Sequence, residues 1–162
     1  MSFLSLRIAE PSQAGLIVDF LNRTIHGGPY SGRSIDGEHF ARLLQKGKFL
    51  LAKREETLVG CVYVEPRAVG PSLLEFLVVT PQLRRSGIGS QLIEAAEGVC
   101  RNTNSKYLQV QVDNLNRETA RFCRRRGYVE FDGFSGQRDS RSPCDCQPLK
   151  MVKHLHRIGR GF

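Results

Sequence analysis

The feature that most constrains this sequence is a glycine-containing turn between an apolar strand and an amphipathic helix. The run at residues 73–79 is apolar on both alternating faces except at Glu75, and residues 87–101 carry apolar side chains at helical spacing. A strand that is apolar on both faces is typical of a sheet covered on both sides. We therefore expect the turn to join the most buried strand of a central sheet to a covering helix.

The same patterns along the rest of the chain predict seven strands and four helices. The strands fall at residues 3–8, 49–52, 58–64, 73–79, 107–112, 128–131 and 149–155, and the helices at about 11–26, 36–46, 87–101 and 116–126. This alternation favours an α/β fold with a mixed sheet and helices on both faces. A length of 162 residues suits a single domain, which we expect at residues 1–155, followed by a short tail at residues 156–162.

Composition and charge limit the classes of protein to which this chain could belong. Hydrophobic residues make up 40% of the chain and charged residues 25%, as in a soluble globular protein, and no apolar run reaches the length of a membrane span. The N-terminus lacks the pattern of a secretion signal. The net charge of +8 favours an anionic ligand or partner, but no basic motif interleaved with aromatic residues supports a nucleic-acid binder. We expect neither membrane nor nucleic-acid binding.

The cysteines indicate a reducing compartment rather than a disulfide framework. There are five of them, an odd number, spread over predicted strands, helices and a loop. Cys144 and Cys146 are too close in sequence for the usual zinc-binding spacing, and no second Cys or His pair lies near them. We therefore expect a cytoplasmic protein without a metal site.

The glycine turn has the character of a phosphate-binding site. Backbone N–H groups at a helix start point outward, the helix dipole adds partial positive charge, and Gly87 and Gly89 leave room for a pyrophosphate. Arg84 and Arg85 add positive charge at the rim. A P-loop is excluded because its Gly-Lys-Ser/Thr ending is absent. A dinucleotide fingerprint is excluded because Leu92 occupies the place of its third glycine.

The pattern Arg84-x-x-Gly87-x-Gly89, preceded by Val-Thr-Pro at residues 79–81, resembles the coenzyme A motif of the GNAT superfamily of N-acetyltransferases. Downstream, residues 116–128 resemble the second signature of that family, which begins with Asn and ends with Gly followed by Phe or Tyr. The order of the predicted elements also fits, so the resemblance covers nearly the whole chain. It implies the GNAT fold, with a central, mixed but mostly antiparallel twisted sheet of about seven strands.

The resemblance also implies a function. A member of this family would move an acetyl group from acetyl-CoA to a primary amine by direct attack in a ternary complex, and the acceptor could be a small molecule or a protein. One strand would pair with the pantetheine arm, the amides of the turn would hold the pyrophosphate, and the flanking strands would splay to admit the cofactor. Family members often dimerise through their last strands, so this chain could form a homodimer. The implied cofactor-binding residues are Leu77, Val78 and Val79 on the strand, Arg84, Arg85, Ser86, Gly87, Ile88, Gly89 and Ser90 in the turn, and Asn116.

Two residues are candidates for the proton transfers of such a reaction. Glu75 is the candidate base for the amine, because strand alternation would put it on the same face as Leu77 and Val79. The alternative is that Glu75 pairs with an arginine or faces solvent at a strand end. Cys123 stands where the family usually has a Tyr that is proposed to protonate the leaving thiolate.

Cys123 leaves two interpretations open. As an acid, it would rely on its neighbours Arg121, Arg124 and Arg125 to lower its pKa. As a small packing residue, it would leave the thiolate to be protonated by water or by the product ammonium. The missing Tyr also favours an alternative function, in which a catalytically weak domain binds coenzyme A as a sensor or regulatory module.

Two further features concern the approach of ligands. His26 and Tyr30 lie in the loop that overhangs the acceptor site in this family, so either could touch the acceptor. Five arginines between residues 117 and 126 form a basic cluster. Such a cluster is usually a solvated helix face, although part of it could steer the cofactor phosphates.

Overall fold

A computed structural model of the chain describes residues 3–25, 35–112, 117–131 and 149–156. These ranges contain seven strands and four α-helices. The strands are β1 (Leu4–Ile8), β2 (Lys48–Arg54), β3 (Thr57–Glu65), β4 (Ser72–Val79), β5 (Tyr107–Val112), β6 (Val129–Glu130) and β7 (Leu149–His154), and the helices are α1 (Ala14–Thr24), α2 (Gly37–Lys46), α3 (Ile88–Asn102) and α4 (Arg117–Arg125). Each predicted element is present, and only the boundaries differ.

All seven strands form one sheet in the order β1-β2-β3-β4-β5-β7-β6. β4 and β5 run parallel, and every other neighbouring pair is antiparallel. The predicted mixed, mostly antiparallel sheet is therefore confirmed. A parallel pair needs a crossover connection, which α3 provides between β4 and β5.

Two hydrophobic cores cover the two faces of this sheet. On one face, which we call the α3 face, Ile88 and Leu92 of α3 pack with buried residues of α4 and of the strands. On the other, which we call the α2 face, Phe20 of α1 and Phe40 of α2 pack with Phe49 and other strand residues. The prediction of helices on both faces is confirmed.

The helix starts follow the polar residues that precede them. Pro11–Gln13 form a 3-10 turn ahead of α1, because the Gln13 side chain accepts a hydrogen bond from the Glu10 N–H at 2.9 Å. α2 begins after Asp36, as predicted, and the Asp36 carboxylate accepts from the His39 N–H at 2.7 Å. Local capping thus sets the start of the 3-10 turn and the start of α2.

The end of α4 explains why the connection to β6 is longer than the sequence predicts. Gly127 has φ +90°, and its N–H donates to the Arg124 carbonyl at 3.0 Å. The Tyr128 N–H donates to the Cys123 carbonyl at 3.0 Å, which completes a Schellman cap. Because the Tyr128 amide caps the helix, β6 begins one residue later than predicted.

Among the described residues, no helix is both long and apolar enough to cross a bilayer. In the same ranges, no three His, Cys, Asp or Glu side chains are grouped closely enough to hold a metal ion. Cys144 and Cys146 lie outside the described residues.

Candidate functional site

β4 and β5 separate partway along their length and leave a cleft between them. Their parallel ladder consists of the register pairs from Ser72 with Leu108 to Leu74 with Val110. Beyond these pairs, β4 continues to Val79, while β5 stays paired with β7. The cleft has a volume of about 860 Å³. The splayed strands that the resemblance implies are therefore present.

A chain of hydroxyl hydrogen bonds fixes the closed end of the cleft. The buried Ser72 hydroxyl donates to Ser105 Oγ at 2.6 Å, and the Ser105 hydroxyl donates to the Tyr107 carbonyl at 3.1 Å. The Arg67 N–H donates to Ser72 Oγ at 2.8 Å. β4 and β5 are thus held together where their ladder begins, so they separate only beyond it.

A β-bulge in β4 marks the point where the cleft opens. The pairing of β4 with β3 shifts register, because Tyr63 lies opposite Glu75 whereas Cys61 lies opposite Val78. Within this bulge Phe76 has φ +53°, in the left-handed region that a bulky residue rarely occupies. Strain of this kind costs about 1–3 kcal/mol and is found most often at functional sites.

The bulge turns Glu75 away from the face that strand alternation predicts. Leu77 and Val79 pack on the α3 face, whereas Glu75 lies opposite Tyr63, which is buried on the α2 face. The prediction that Glu75 shares a face with Leu77 and Val79 is therefore wrong, because the extra residue of the bulge reverses the alternation. Glu75 still lines the cleft, which it reaches from the side of α2.

Glu75 has the electrostatic surroundings of a proton acceptor. Partial burial raises the pKa of its carboxyl, the Glu65 carboxylate raises it further, and His39 and Arg67 act in the opposite direction. Arg67 instead pairs with Glu65, at 2.7 Å. Within the described ranges the Glu75 side chain has no ion pair or hydrogen bond, so the alternative in which it pairs with an arginine does not hold there.

The turn between β4 and α3 ends the cleft with a helix start. Pro81–Leu83 form a 3-10 turn, Arg85 has φ +63°, Gly87 has φ +87°, and α3 begins at Ile88. The first turn of α3 contains no acidic residue, so nothing within it offsets the partial positive charge of the helix start. The N–H groups of this turn are the donors that a phosphate needs.

Gly87 and Gly89 keep this end of the cleft open. A Cβ built at Gly89 would lie 3.7 Å from the Phe122 ring and 3.9 Å from the Val79 side chain, which is ordinary contact. A Cβ at Gly87 would meet nothing within 4 Å. Packing therefore does not require either glycine. Both line the cleft, so larger side chains would take up space that is open to a ligand.

Most of the predicted cofactor residues line the cleft. Those that do are Leu77, Val78, Val79, Arg84, Arg85, Gly87, Gly89 and Ser90. The Ile88 side chain is instead buried in the core, and the Ser86 hydroxyl donates to the Leu83 carbonyl, so neither side chain has a hydrogen-bond donor left for a phosphate. Asn116 lies outside the described residues.

Cys123 lies in the core rather than in the cleft. Its side chain is fully buried on the α3 face and is absent from the cleft lining. Burial raises the pKa of its thiol to about 11. The expectation that Arg121, Arg124 and Arg125 would lower this pKa is therefore wrong, because these side chains are exposed while the thiol is enclosed. This placement favours the packing interpretation of Cys123.

One stripe of α4 lines the cleft, and the sequence predicted a role only for its arginines, as part of the basic cluster. Its members are Glu118, Thr119, Arg121, Phe122 and Arg125. The spacing i, i+3, i+4 and i+7 from residue 118 is the sequence signal that identifies such a stripe. Arg85 Nη2 lies 2.9 Å from Glu118 Oε1, so an ion pair connects the glycine turn to this helix.

The end of α1 forms another part of the cleft wall. Thr24 and Ile25 line it, on the side where Glu75 reaches the cleft. The Asn22 side chain bonds to both the N–H and the carbonyl of Ile35, each at 3.1 Å, and so ties α1 to the segment that leads into α2. The predicted acceptor residues, His26 and Tyr30, lie outside the described residues and stay predictions.

The fold is shared with solved acetyltransferase structures. A GNAT-family acetyltransferase from Streptococcus pneumoniae matches with a TM-score of 0.75 at 22% identity, over 95% of this chain and 100% of the other. The putative acetyltransferase yncA from Salmonella typhimurium, solved with acetyl-CoA, gives 0.73 at 15% identity over 99% of both chains. The PaiA N-acetyltransferase from Thermoplasma acidophilum, in complex with coenzyme A, gives 0.74 at 15% identity over 94% of this chain and 99% of the other.

Sequence comparison gives the family directly. No curated protein matches this sequence significantly. The model of the GNAT acetyltransferase family matches residues 21–128, a span that includes β4, the glycine turn, α3 and α4. This span is more than half of the chain and contains both walls of the cleft. The chain therefore belongs to the GNAT family of acetyltransferases.

Proposed function

We propose that this protein is an N-acetyltransferase that moves an acetyl group from acetyl-CoA to a primary amine in a ternary complex. The observation that carries the proposal is the cleft between β4 and β5, which ends at the glycine turn. A strand edge suits an arm that contains amides, and a helix start suits a pyrophosphate. The cleft volume of about 860 Å³ is in the range of small-molecule and cofactor sites.

The cleft residues fit the chemical groups of coenzyme A. Because the β4–β5 ladder ends at Leu74, the β4 backbone at residues 77–79 has no ladder partner on β5 and is available to the amides of a pantetheine arm. Gly87 and Gly89 leave the N–H groups of the helix start accessible to the pyrophosphate, and Arg84 adds positive charge. When bound, acetyl-CoA supplies the thioester that the amine attacks, with the thiolate of coenzyme A as leaving group.

Glu75 is the base in this proposal. An amine attacks only when it is neutral, so an ammonium acceptor must first lose a proton. Glu75 lines the cleft beside the bulge, and burial raises the pKa of its carboxyl. A raised pKa makes a carboxylate a better proton acceptor near neutral pH than a fully solvated one.

We assign no side chain as the acid that protonates the leaving thiolate. Cys123 is buried away from the cleft, and burial raises its pKa to about 11. Among the described residues that line the cleft, none is a Tyr, Cys or His. In this proposal the thiolate takes its proton from water or from the ammonium that forms during the reaction.

The acceptor approaches from the α2 face. Glu75 reaches the cleft from that side, and Thr24 and Ile25 at the end of α1 line the same part of the wall. His26 and Tyr30 follow directly in the sequence, which supports their proposed contact with the acceptor. The acceptor is a small molecule or a protein that carries a primary amine.

Calorimetry followed by a thiol assay tests the proposal. The purified protein is titrated with acetyl-CoA, and release of free coenzyme A is then measured over pooled amines, with an assay lacking amine as the control for hydrolysis. Binding together with release that depends on an amine supports the proposed reaction. If acetyl-CoA does not bind, the proposed function is wrong.

A second candidate function is a coenzyme A sensor or regulatory module with weak catalysis. The observation that favours it is Cys123, since this chain lacks a Tyr at the position where the family usually has one. The same two assays separate the candidates. Binding without thiol release across a broad set of amines favours the sensor, whereas release at a rate well above hydrolysis excludes it.

A further inference from the structure

One stripe of α4 forms a wall of the cleft beside the glycine turn. Phe122 lies in this stripe, and its ring is 3.7 Å from a Cβ built at Gly89, in the first turn of α3. Arg121 and Arg125 line the same wall. Successive helix residues rise by about 1.5 Å, so both arginines begin within about one turn of the point where α4 meets α3.

The four arginines at residues 121–126 divide into two groups, whereas Arg117 at the start of α4 is exposed and does not line the cleft. Arg124 pairs with Glu130, and Arg126 pairs with a glutamate of α3, and neither arginine lines the cleft. Arg121 and Arg125 do line it, and within the part of the chain that the structure describes neither has an ion pair. Among the described residues, the two arginines of this set outside the cleft are therefore neutralised, and the two inside it are not.

This arrangement is unfavourable unless an anion is present. Arg121 and Arg125 are four residues apart on one helix face, where like charges repel and destabilise the helix. The neighbouring acid cannot relieve them both, because Glu118 is already paired with Arg85. A bound anion would offset the repulsion, and two adjacent guanidinium groups match the oxygens of a phosphate group.

We propose that Arg121 and Arg125 form a second anion subsite of the cleft, which binds the 3′-phosphate on the ribose of coenzyme A. This inference rests on the proposed function, since it requires that coenzyme A occupies the cleft. It assigns a residue pair to one chemical group of the cofactor, and it makes the 3′-phosphate a determinant of cofactor choice.

The position of the pair favours the 3′-phosphate over the pyrophosphate. The N–H groups at the start of α3 already provide donors for the pyrophosphate, and Arg84 and Arg85 lie in that turn. The third phosphate of coenzyme A is attached to the ribose next to the pyrophosphate, so it must lie near the turn without lying in it. α4 contacts the first turn of α3 through Phe122, and this is where such a group would fall.

Calorimetric titration with coenzyme A and with dephospho-coenzyme A, which lacks only the 3′-phosphate, tests the inference. The proteins are wild type, the double variant R121Q/R125Q, and the control R124Q, which removes one positive charge from the same helix outside the cleft. Melting temperatures of all three confirm folding. Because the substituted arginines are exposed, we expect those temperatures to agree closely.

The expected result is a loss of discrimination between the two ligands. Wild type and R124Q should bind coenzyme A about tenfold more tightly than dephospho-coenzyme A, as expected for a charge-assisted contact in a partly solvated site. R121Q/R125Q should bind the two ligands with nearly equal affinity, and its affinity for dephospho-coenzyme A should stay close to that of wild type. The preference of wild type should also weaken as salt is added.

Two results would overturn the inference while leaving the proposed function intact. If R121Q/R125Q loses affinity equally for both ligands, the arginines act on the pyrophosphate or through the general field of the cleft. If R121Q/R125Q keeps the preference for coenzyme A, the 3′-phosphate binds elsewhere. If wild type binds neither ligand, the proposed function fails and the inference fails with it.

Discussion

Two pairs of glycines mark two regions of this molecule that use the same residue for opposite purposes. In the packed region, a Cβ at Gly47 would lie 2.3 Å from the Val64 carbonyl oxygen, and one at Gly60 would lie 3.1 Å from a neighbouring side chain. In the cleft, a Cβ at Gly87 or Gly89 would meet no atom closer than 3.7 Å. A glycine of the packed region makes room for the protein itself, whereas a glycine of the cleft makes room for a ligand.

The two regions also use glutamate differently. Glu97 of α3 is 3% exposed and accepts hydrogen bonds from Tyr128 Oη at 3.0 Å, Lys153 Nζ at 2.9 Å and Arg101 Nη2 at 3.2 Å. Glu75 lines the cleft and has no such partner among the described residues. Substitutions in the packed region should therefore cost stability, and substitutions in the cleft should cost binding or turnover.

The largest effect is expected for Glu97→Ala. Removing this carboxylate leaves Lys153 and Arg101 partly buried without their partner, so the free energy of unfolding should fall by about 3–5 kcal/mol. Urea denaturation measures the change. The matched control is Glu94→Ala, on the same helix. The Glu94 side chain is 62% exposed and pairs with Arg126, so its removal should cost less than about 1 kcal/mol. If both variants lose the same free energy of unfolding, the buried Glu97 is no more important for stability than the exposed Glu94.

Gly47→Ala should be the next most damaging change. The new Cβ would overlap the Val64 backbone, which cannot move aside as a flexible side chain would, so unfolding should become easier by about 3 kcal/mol. The control is Gly98→Ala, inside α3, where a Cβ meets nothing within 4 Å. That variant should be neutral or more stable by about 0.5–1 kcal/mol. If Gly47→Ala is as stable as wild type, packing does not require a glycine at residue 47.

Gly89→Leu should separate binding from stability. A leucine at this position would project into the cleft beside Phe122, so affinity for acetyl-CoA should fall on the order of 100-fold, or about 2.7 kcal/mol. The melting temperature should change little, since a Cβ at Gly89 makes only ordinary contacts. Wild-type affinity in a folded variant would show that the glycine turn does not hold the cofactor.

Glu75→Gln should lower turnover, and the loss should depend on pH. If Glu75 is the base, the loss should be on the order of 100-fold where the acceptor is an ammonium ion, and smaller at high pH where the amine is already neutral. The rate as a function of pH gives the comparison with wild type. The companion variant Glu65→Gln removes a carboxylate that raises the pKa of Glu75. The acidic limb of its pH–rate profile should therefore move to lower pH. An unchanged profile in Glu75→Gln would exclude it from the mechanism.

The smallest expected effect is a gain of stability in Glu75→Gln. The pKa of Glu75 is raised in the folded protein, so its contribution to stability is full below the unfolded pKa and is lost as pH rises through the folded value. The neutral glutamine avoids that loss, so the melting temperature at pH 8 should rise by about 1–2 °C, with no difference at pH 3. A lower melting temperature at pH 8 would mean that the carboxylate has a favourable partner.

The sequence predicted the order of elements because each carries a local signal. Strand alternation predicted β5 with the bounds that are observed, and the glycine turn predicted the start of α3 within one residue. β6 was misplaced by a residue at its start because the Tyr128 amide serves the cap of α4, and a cap uses backbone groups that side-chain patterns do not reveal.

The site was predicted where it depends on local sequence and missed where it depends on tertiary contacts. The turn that contains Gly87 and Gly89 was identified from residue types alone. The face of Glu75 was wrong because Phe76 takes a positive φ that its type does not favour, and its ring is buried on the α2 face, where long-range packing determines it. Likewise, only the fold shows that Arg121 and Arg125 lack the partners that Arg124 and Arg126 find.

The short ladder between β4 and β5 has a mechanical consequence. β1 to β4 form one continuous antiparallel ladder, and β5, β7 and β6 form another. Among the described residues, backbone pairing joins the two at residues 72–74 with 108–110. The hydroxyl chain through Ser72 and Ser105 reinforces this seam at one end. A ligand between β4 and β5 would contact both strands and connect them at the open end of the cleft. Part of its binding energy would then appear as resistance of the whole sheet to being pulled apart.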